Sequence, residues 1–232
     1  MKKLKMLGYT SFLALALLPT AQAFAHGVSG SDAHTIAEDV GTIEKLFDFF
    51  ILGAKHMLVG YDHLLFILGV VFLLAGFRDV VKYITYFTLG HSITLIFATL
   101  MGITFNYHIV DAIIGLSILY KGYDNLFNVK KKFNIPFDTK WIIFGFGLVH
   151  GFGLSTRLQA LDLPRENLLA YIISFNIGVE VGQIIALAVF VWILNRARKG
   201  KHFEPFKNYT NQFLIGAGIF LFIIGMAKGL MG

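Results

Sequence analysis

The sequence predicts an all-α membrane protein, and three observations carry that prediction. Hydrophobic residues make up 56% of the 232 residues, 24 of them Phe, and mean hydropathy is +0.69. Only 15% of residues are charged, too few for a soluble chain of this size to cover its surface. The apolar residues are gathered into runs of about 20, the length a helix needs to cross a hydrocarbon core of about 30 Å.

The elements follow in order. Residues 1–25 carry a basic stretch (Lys2, Lys3, Lys5), an apolar run from Phe12 to Leu18 and Ala23-Phe24-Ala25, the pattern of a cleaved signal peptide. Residues 26–55 form an extracytoplasmic lead-in, polar at first and then amphipathic from Ile43 to Lys55, with Phe47, Phe49 and Phe50 expected at the membrane interface. Residues 56–232 form the transmembrane domain, with about six spans near 56–76, 83–103, 108–128, 141–158, 168–195 and 210–230. Arg78, Lys82, Lys130, Lys131, Lys132, Lys140, Arg196, Arg198, Lys199, Lys201 and Lys207 fall in alternate loops. Positive charge collects on the cytoplasmic side, so the mature N-terminus is extracytoplasmic, as a signal peptide also requires. The expected location is a bacterial inner membrane, multi-pass among its lipids. The net charge of +6 therefore reflects loop placement and predicts no nucleic-acid partner.

Phe87-Thr-Leu-Gly90-His91 in the second span echoes Phe175-Asn-Ile-Gly178-Val-Glu180 in the fifth. An inverted three-plus-three repeat would produce such an echo. Chance likeness between two Phe- and Gly-rich helices is the plainer explanation.

Ionisable groups are costly in hydrocarbon, so those that persist there mark work to be done. The first span holds His56-Met-Leu-Val-Gly60-Tyr-Asp62-His63, and later spans add His91, His150 and Glu180. At about 1.5 Å of rise per residue, His63, His91, His150 and Glu180 all fall near mid-depth. His56 and His63 share a face but lie about 10 Å apart on a straight helix, too far to hold one ion; Gly60 could bend the helix, or the two could serve successive stations on one path. Imidazole and carboxylate together suit a divalent transition metal. The chain has no cysteine, so any such site uses nitrogen and oxygen alone. Two buried carboxylates with neutral imidazoles favour a cation, although protonating the carboxylates would serve as well. Asp62 could instead pair with Arg157. Asn176, Glu180 and Gln183 follow i, i+4, i+7 along one face, and Asn176, Gln183 and Ser92 would orient ligands through hydrogen bonds. Lys121 and Asp124 read as an ordinary intrahelical pair. Cleavage after Ala25 would expose the amine and imidazole of His26, which with His34 would make a capture site; the alternative is a mobile polar tail.

Gly60-Tyr-Asp62-His63-Leu-Leu-Phe66, Phe87-Thr-Leu-Gly-His91-Ser92, Phe144-Gly-Phe-Gly-Leu-Val-His150-Gly-Phe-Gly153 and Phe175-Asn176-Ile-Gly178-Val-Glu180-Val-Gly-Gln183 resemble the HupE/UreJ membrane proteins, from about residue 45 to the C-terminus. The resemblance implies a nickel or cobalt permease that serves metalloenzyme maturation machinery. Two details depart from related transporters: the His-x5-Asp-His spacing is one residue longer, and His150 stands alone in the second histidine motif. The expected metal ligands are Asp62, His63, His91, His150 and Glu180 at a central site, with His56 at its outer mouth, and with Ni²⁺ as substrate and Co²⁺, Zn²⁺ or Cu²⁺ as alternatives. A rival reading is a membrane-embedded zinc-dependent hydrolase using the same cluster.

Overall fold

A computed structural model describes residues 41–73, 77–136, 138–160 and 166–231. The signal peptide, its cleavage point, His26 and His34 lie outside the described residues. Eight helices are found among those described: α1 Thr42–Val59, α2 Tyr61–Leu73, α3 Phe77–Met101, α4 Tyr107–Phe127, the short α5 Val129–Lys132, α6 Thr139–Gln159, α7 Leu168–Ala197 and α8 Phe203–Met231. The described residues contain no strand.

The first apolar segment differs from expectation. Its helix begins at Thr42 and runs without interruption past Lys55, so the amphipathic stretch and the start of the span are one element. It then breaks at Gly60, and α2 leaves at 62° to α1. Gly60 closes α1 by donating its N–H to the His56 carbonyl at 2.9 Å, then turns to ψ 100°. A Cβ there would sit 2.7 Å from that carbonyl oxygen, so the bend is made where no side chain intrudes.

Three helices (α3 from Arg78, α7 and α8) are long and apolar enough to cross a membrane, and the bent pair α1–α2 would make a fourth. α4 and α6, at 21 residues each, have the length but not the apolarity. Their polar content is spent inside the protein. Arg157 on α6 bonds Asp111 on α4 at 2.6 Å. Lys121 is 0% exposed and pairs with Asp124 at 3.1 Å, so it is no surface pair. Asn125 donates to the Gly69 carbonyl on α2 at 2.8 Å and to Asn211 on α8 at 2.7 Å.

The long helices pack chiefly as three pairs, α1 with α7, α3 with α6 and α4 with α8, each through glycines. Gly53 abuts the Phe175 carbonyl while Gly178 abuts that of Phe50; Gly147 abuts the Phe87 carbonyl while Gly90 abuts that of Phe144. Small residues let helix backbones approach closely where lipid supplies no hydrophobic drive. Gly178 meets Phe50 and Gly182 meets Met57, so numbers rise together and α1 is parallel to α7. On α4 and α8, Gly122 meets Asn211 and His108 meets Gly225, so that pair is antiparallel.

Candidate metal centre

The bend at Gly60 delivers what a straight helix could not. His56, at the end of α1, and His63, in the first turn of α2, have ring centroids 4.7 Å apart. His91 from α3 completes a trio in which one ring nitrogen of each lies within 4.8 Å of the others. His150 from α6 joins through His63, with centroids 5.1 Å apart. All four rings are at most 3% exposed. Phe66, Phe87 and Phe175 wall the cluster, Phe87 standing 4.9 Å from His150 and Phe175 5.8 Å from His56.

Hydrogen bonds fix how two of the rings present their nitrogens. Nδ1 of His63 lies 2.9 Å from Oδ1 of Asp62, which also accepts the His63 backbone N–H at 2.9 Å. A carboxylate can only accept, so Nδ1 carries the proton and Nε2 offers its lone pair. His150 behaves alike: Nδ1 is 2.8 Å from the Phe146 carbonyl and must be the donor. His63 Nε2 and both nitrogens of His91 are buried without a hydrogen-bond partner. Buried polar atoms are rarely left so, and a ligand is one explanation.

The sequence-expected residues thus divide. His56, His63 and His91 converge, His150 stands beside His63, and Asp62 holds His63 in place. Asp62 does not take Arg157 as its ion-pair partner in place of a metal site, since Arg157 bonds Asp111. Glu180 is exposed on α7 and lies outside the trio. Asn176 and Gln183, on the same helix, are buried, but they bond hydroxyls of α3 rather than imidazoles. Ser92 donates to Asn176 at 2.8 Å and Thr88 to Gln183 at 2.6 Å. Thr88 is the member of this seam that the sequence motifs did not single out. Its position four residues before Ser92, matching a polar residue on α7, was the available signal.

An imidazole trio backed by a carboxylate is a donor set for a borderline divalent ion. Bonds of about 2.0–2.1 Å would require the three rings to draw in by about 1 Å. With one carboxylate beside the trio rather than two, a divalent ion would keep part of its charge, and imidazole ligation carries more of the binding.

Compared with known proteins, the chain matches the family model described as HupE / UreJ protein over residues 31–229. No curated protein and no solved structure matches it.

Proposed function

The chain belongs to the HupE/UreJ family, and on that footing we propose that it is a permease for a divalent transition metal ion, Ni²⁺ before Co²⁺. The observation that carries this reading is the convergence of His56, His63 and His91 in a buried trio. Each comes from a different helix, and His63 is oriented by Asp62. In this reading the rings hold the ion while it is closed off from both sides, and Asp62 raises the basicity of His63 as an outer partner rather than binding the ion itself. His150 adds a fourth imidazole against His63. Glu180, on the outer face of α7, serves the path or an interface rather than the central site. α4 and α6 cross with the others, making six spans in an inner membrane with the N-terminus outside. Cargo would pass to the maturation of a nickel enzyme.

Hydrolysis is the poorer fit, because a hydrolase must admit a substrate and a water to its metal, and these rings are closed in by Phe66, Phe87 and Phe175. The test is uptake of radioactive nickel into sealed proteoliposomes. Wild-type protein should load them and His63→Ala should not. Equal loading by both would overturn the reading.

A further inference from the structure

The contacts of four glycines in one half of the chain, Gly53, Gly90, Gly115 and Gly122, recur at four glycines of the other, Gly147, Gly178, Gly218 and Gly225. Set Phe50 on Phe144 to match α1 with α6, Phe87 on Phe175 to match α3 with α7, and Gly115 on Gly218 to match α4 with α8. Gly53 against the Phe175 carbonyl and Val179 nitrogen then becomes Gly147 against the Phe87 carbonyl and His91 nitrogen. Gly178 against the Phe50 carbonyl and Ala54 nitrogen becomes Gly90 against the Phe144 carbonyl and Leu148 nitrogen. Gly115 against the Phe222 nitrogen becomes Gly218 against the Leu119 nitrogen, and Gly122 against the Asn211 carbonyl becomes Gly225 against the His108 carbonyl. A rotation that interchanges two antiparallel neighbours has its axis perpendicular to both. For helices that cross a bilayer, that axis lies in the membrane plane, the relation of inverted repeats.

The halves share contacts but not shape. Gly60, where α1 ends and the chain bends by 62°, corresponds to Leu154, which lies inside an α6 that continues to Gln159. His56 corresponds to His150. His63 corresponds to Arg157, a permanent cation that cannot ligate a metal.

We propose that this is one of two exchangeable end states. In the other, α6 bends beside Gly153 and Leu154 while α1 and α2 straighten across Gly60, carrying His63 away from His56 and dismantling the trio. The proposal rests on the permease reading, for which it supplies the release step. The same interhelix contacts serve both states, so the exchange keeps the glycine-packed pairs intact. On the straightened helix, His56 and His63 would stand about 10 Å apart along the axis, against ring centroids 4.7 Å apart here. No imidazole replaces His63, because Arg157 occupies its counterpart position. The exchange must also release the Arg157–Asp111 pair and the Asn125 bond to Gly69, which therefore act as latches on this state.

The chain has no cysteine, so spin labels can be placed at will. Two doubly labelled proteins, Phe47→Cys with Leu68→Cys and Trp141→Cys with Ala160→Cys, report the α1–α2 bend and the straightness of α6 by pulsed dipolar spectroscopy in nanodiscs without added metal. Gly60→Ala places a Cβ against the His56 carbonyl and disfavours the bend. It should lengthen the 47–68 distance by about 4 Å and, in the same variant, shorten the 141–160 distance by about 3–4 Å. Lengthening of the first alone, or no change in either, would overturn the exchange. Should Gly60→Ala not fold, Leu154→Gly loosens the counterpart position. It should produce the same paired movement, and a shortened 141–160 distance without a lengthened 47–68 distance would overturn the proposal equally. Neither measurement involves metal, so failure here leaves the metal site standing, and failure of nickel uptake would leave these distances unaffected.

Discussion

Asp62 accepts two hydrogen bonds from the residue that follows it, the backbone N–H and the ring Nδ1 of His63, both at 2.9 Å. The relationship is local, made within one helical turn just past the bend, so His63 arrives with its tautomer already set. Asp62→Asn keeps the size and one acceptor but loses the charge. Metal affinity should fall by about 10–100-fold, the usual effect of losing such an outer partner, and less than in His63→Ala. Equilibrium dialysis with Ni²⁺ measures both. An Asp62→Asn loss as complete as that of His63→Ala would instead make Asp62 a direct ligand.

Metal binding requires neutral imidazoles, so protons compete with the ion. Affinity should fall as pH falls, more steeply in wild-type protein than in a variant lacking one ring, because fewer protons are then displaced. Equilibrium dialysis with Ni²⁺ across a series of acid pH values measures this. An affinity that does not change with pH would argue against imidazole ligation.

Lys121 and Asp124 test the polar interior away from the histidine cluster. Lys121 is enclosed against Gly69 and Leu214, and Asp124 also accepts the Val129 N–H at 3.0 Å. Asp124→Ala leaves a buried cation alone and should cost about 3–5 kcal/mol, whereas Lys121→Met combined with Asp124→Ala should recover part of that loss. Chemical unfolding of the four variants of the cycle in detergent gives the coupling. A double variant whose loss equals the sum of the two single losses would show the pair to be uncoupled.

The glycines offer an internal control. Ala at Gly53, Gly147 or Gly178 would place a Cβ on a neighbouring helix carbonyl, while Gly145 and Gly216 have nothing within 4 Å. The first three substitutions should lower the unfolding midpoint. Gly145→Ala and Gly216→Ala should leave it unchanged or raise it slightly, as helix propensity favours Ala. Uniform effects across all five would contradict the packing described.

Asp138 gives a pH effect outside the membrane-crossing helices. It caps α6 by accepting the Lys140 N–H at 3.2 Å. That bond, with Lys140 and Lys130 nearby, holds its carboxyl below the ordinary aspartate value. A lowered folded value means that the cap's contribution is present above the ordinary value and is lost as pH falls through the folded one. The group is half-exposed, so the loss is small. Asp138→Ala should lower the unfolding midpoint near neutrality but not at strongly acid pH, and an equal drop at both would refute a charge-dependent cap.

Much of this was legible in the sequence because apolar runs and their polar exceptions are one-dimensional signals. The last five apolar segments became α3, α4, α6, α7 and α8, and depth arithmetic brought His63, His91 and His150 together. The bend was harder to read. A lone glycine marks where a helix can break, not that it does, and only the break closes the His56–His63 gap. Glu180 follows the spacing of Asn176 and Gln183 but does not share their burial. It sits about 40° from Asn176 around the helix, enough to move from the buried seam to the outer face. Burial of Lys121 depends on α2 and α8 closing over it, and no spacing within α4 could reveal that.

X-ray absorption at the nickel edge of the Ni²⁺-loaded protein reads directly whether His56, His63 and His91 hold the ion. The trio should give a nearest shell containing about three imidazoles, visible through multiple scattering from the rings and falling by one in His91→Ala. A shell of oxygen ligands without imidazole scattering, or a spectrum unchanged in His91→Ala, would contradict it.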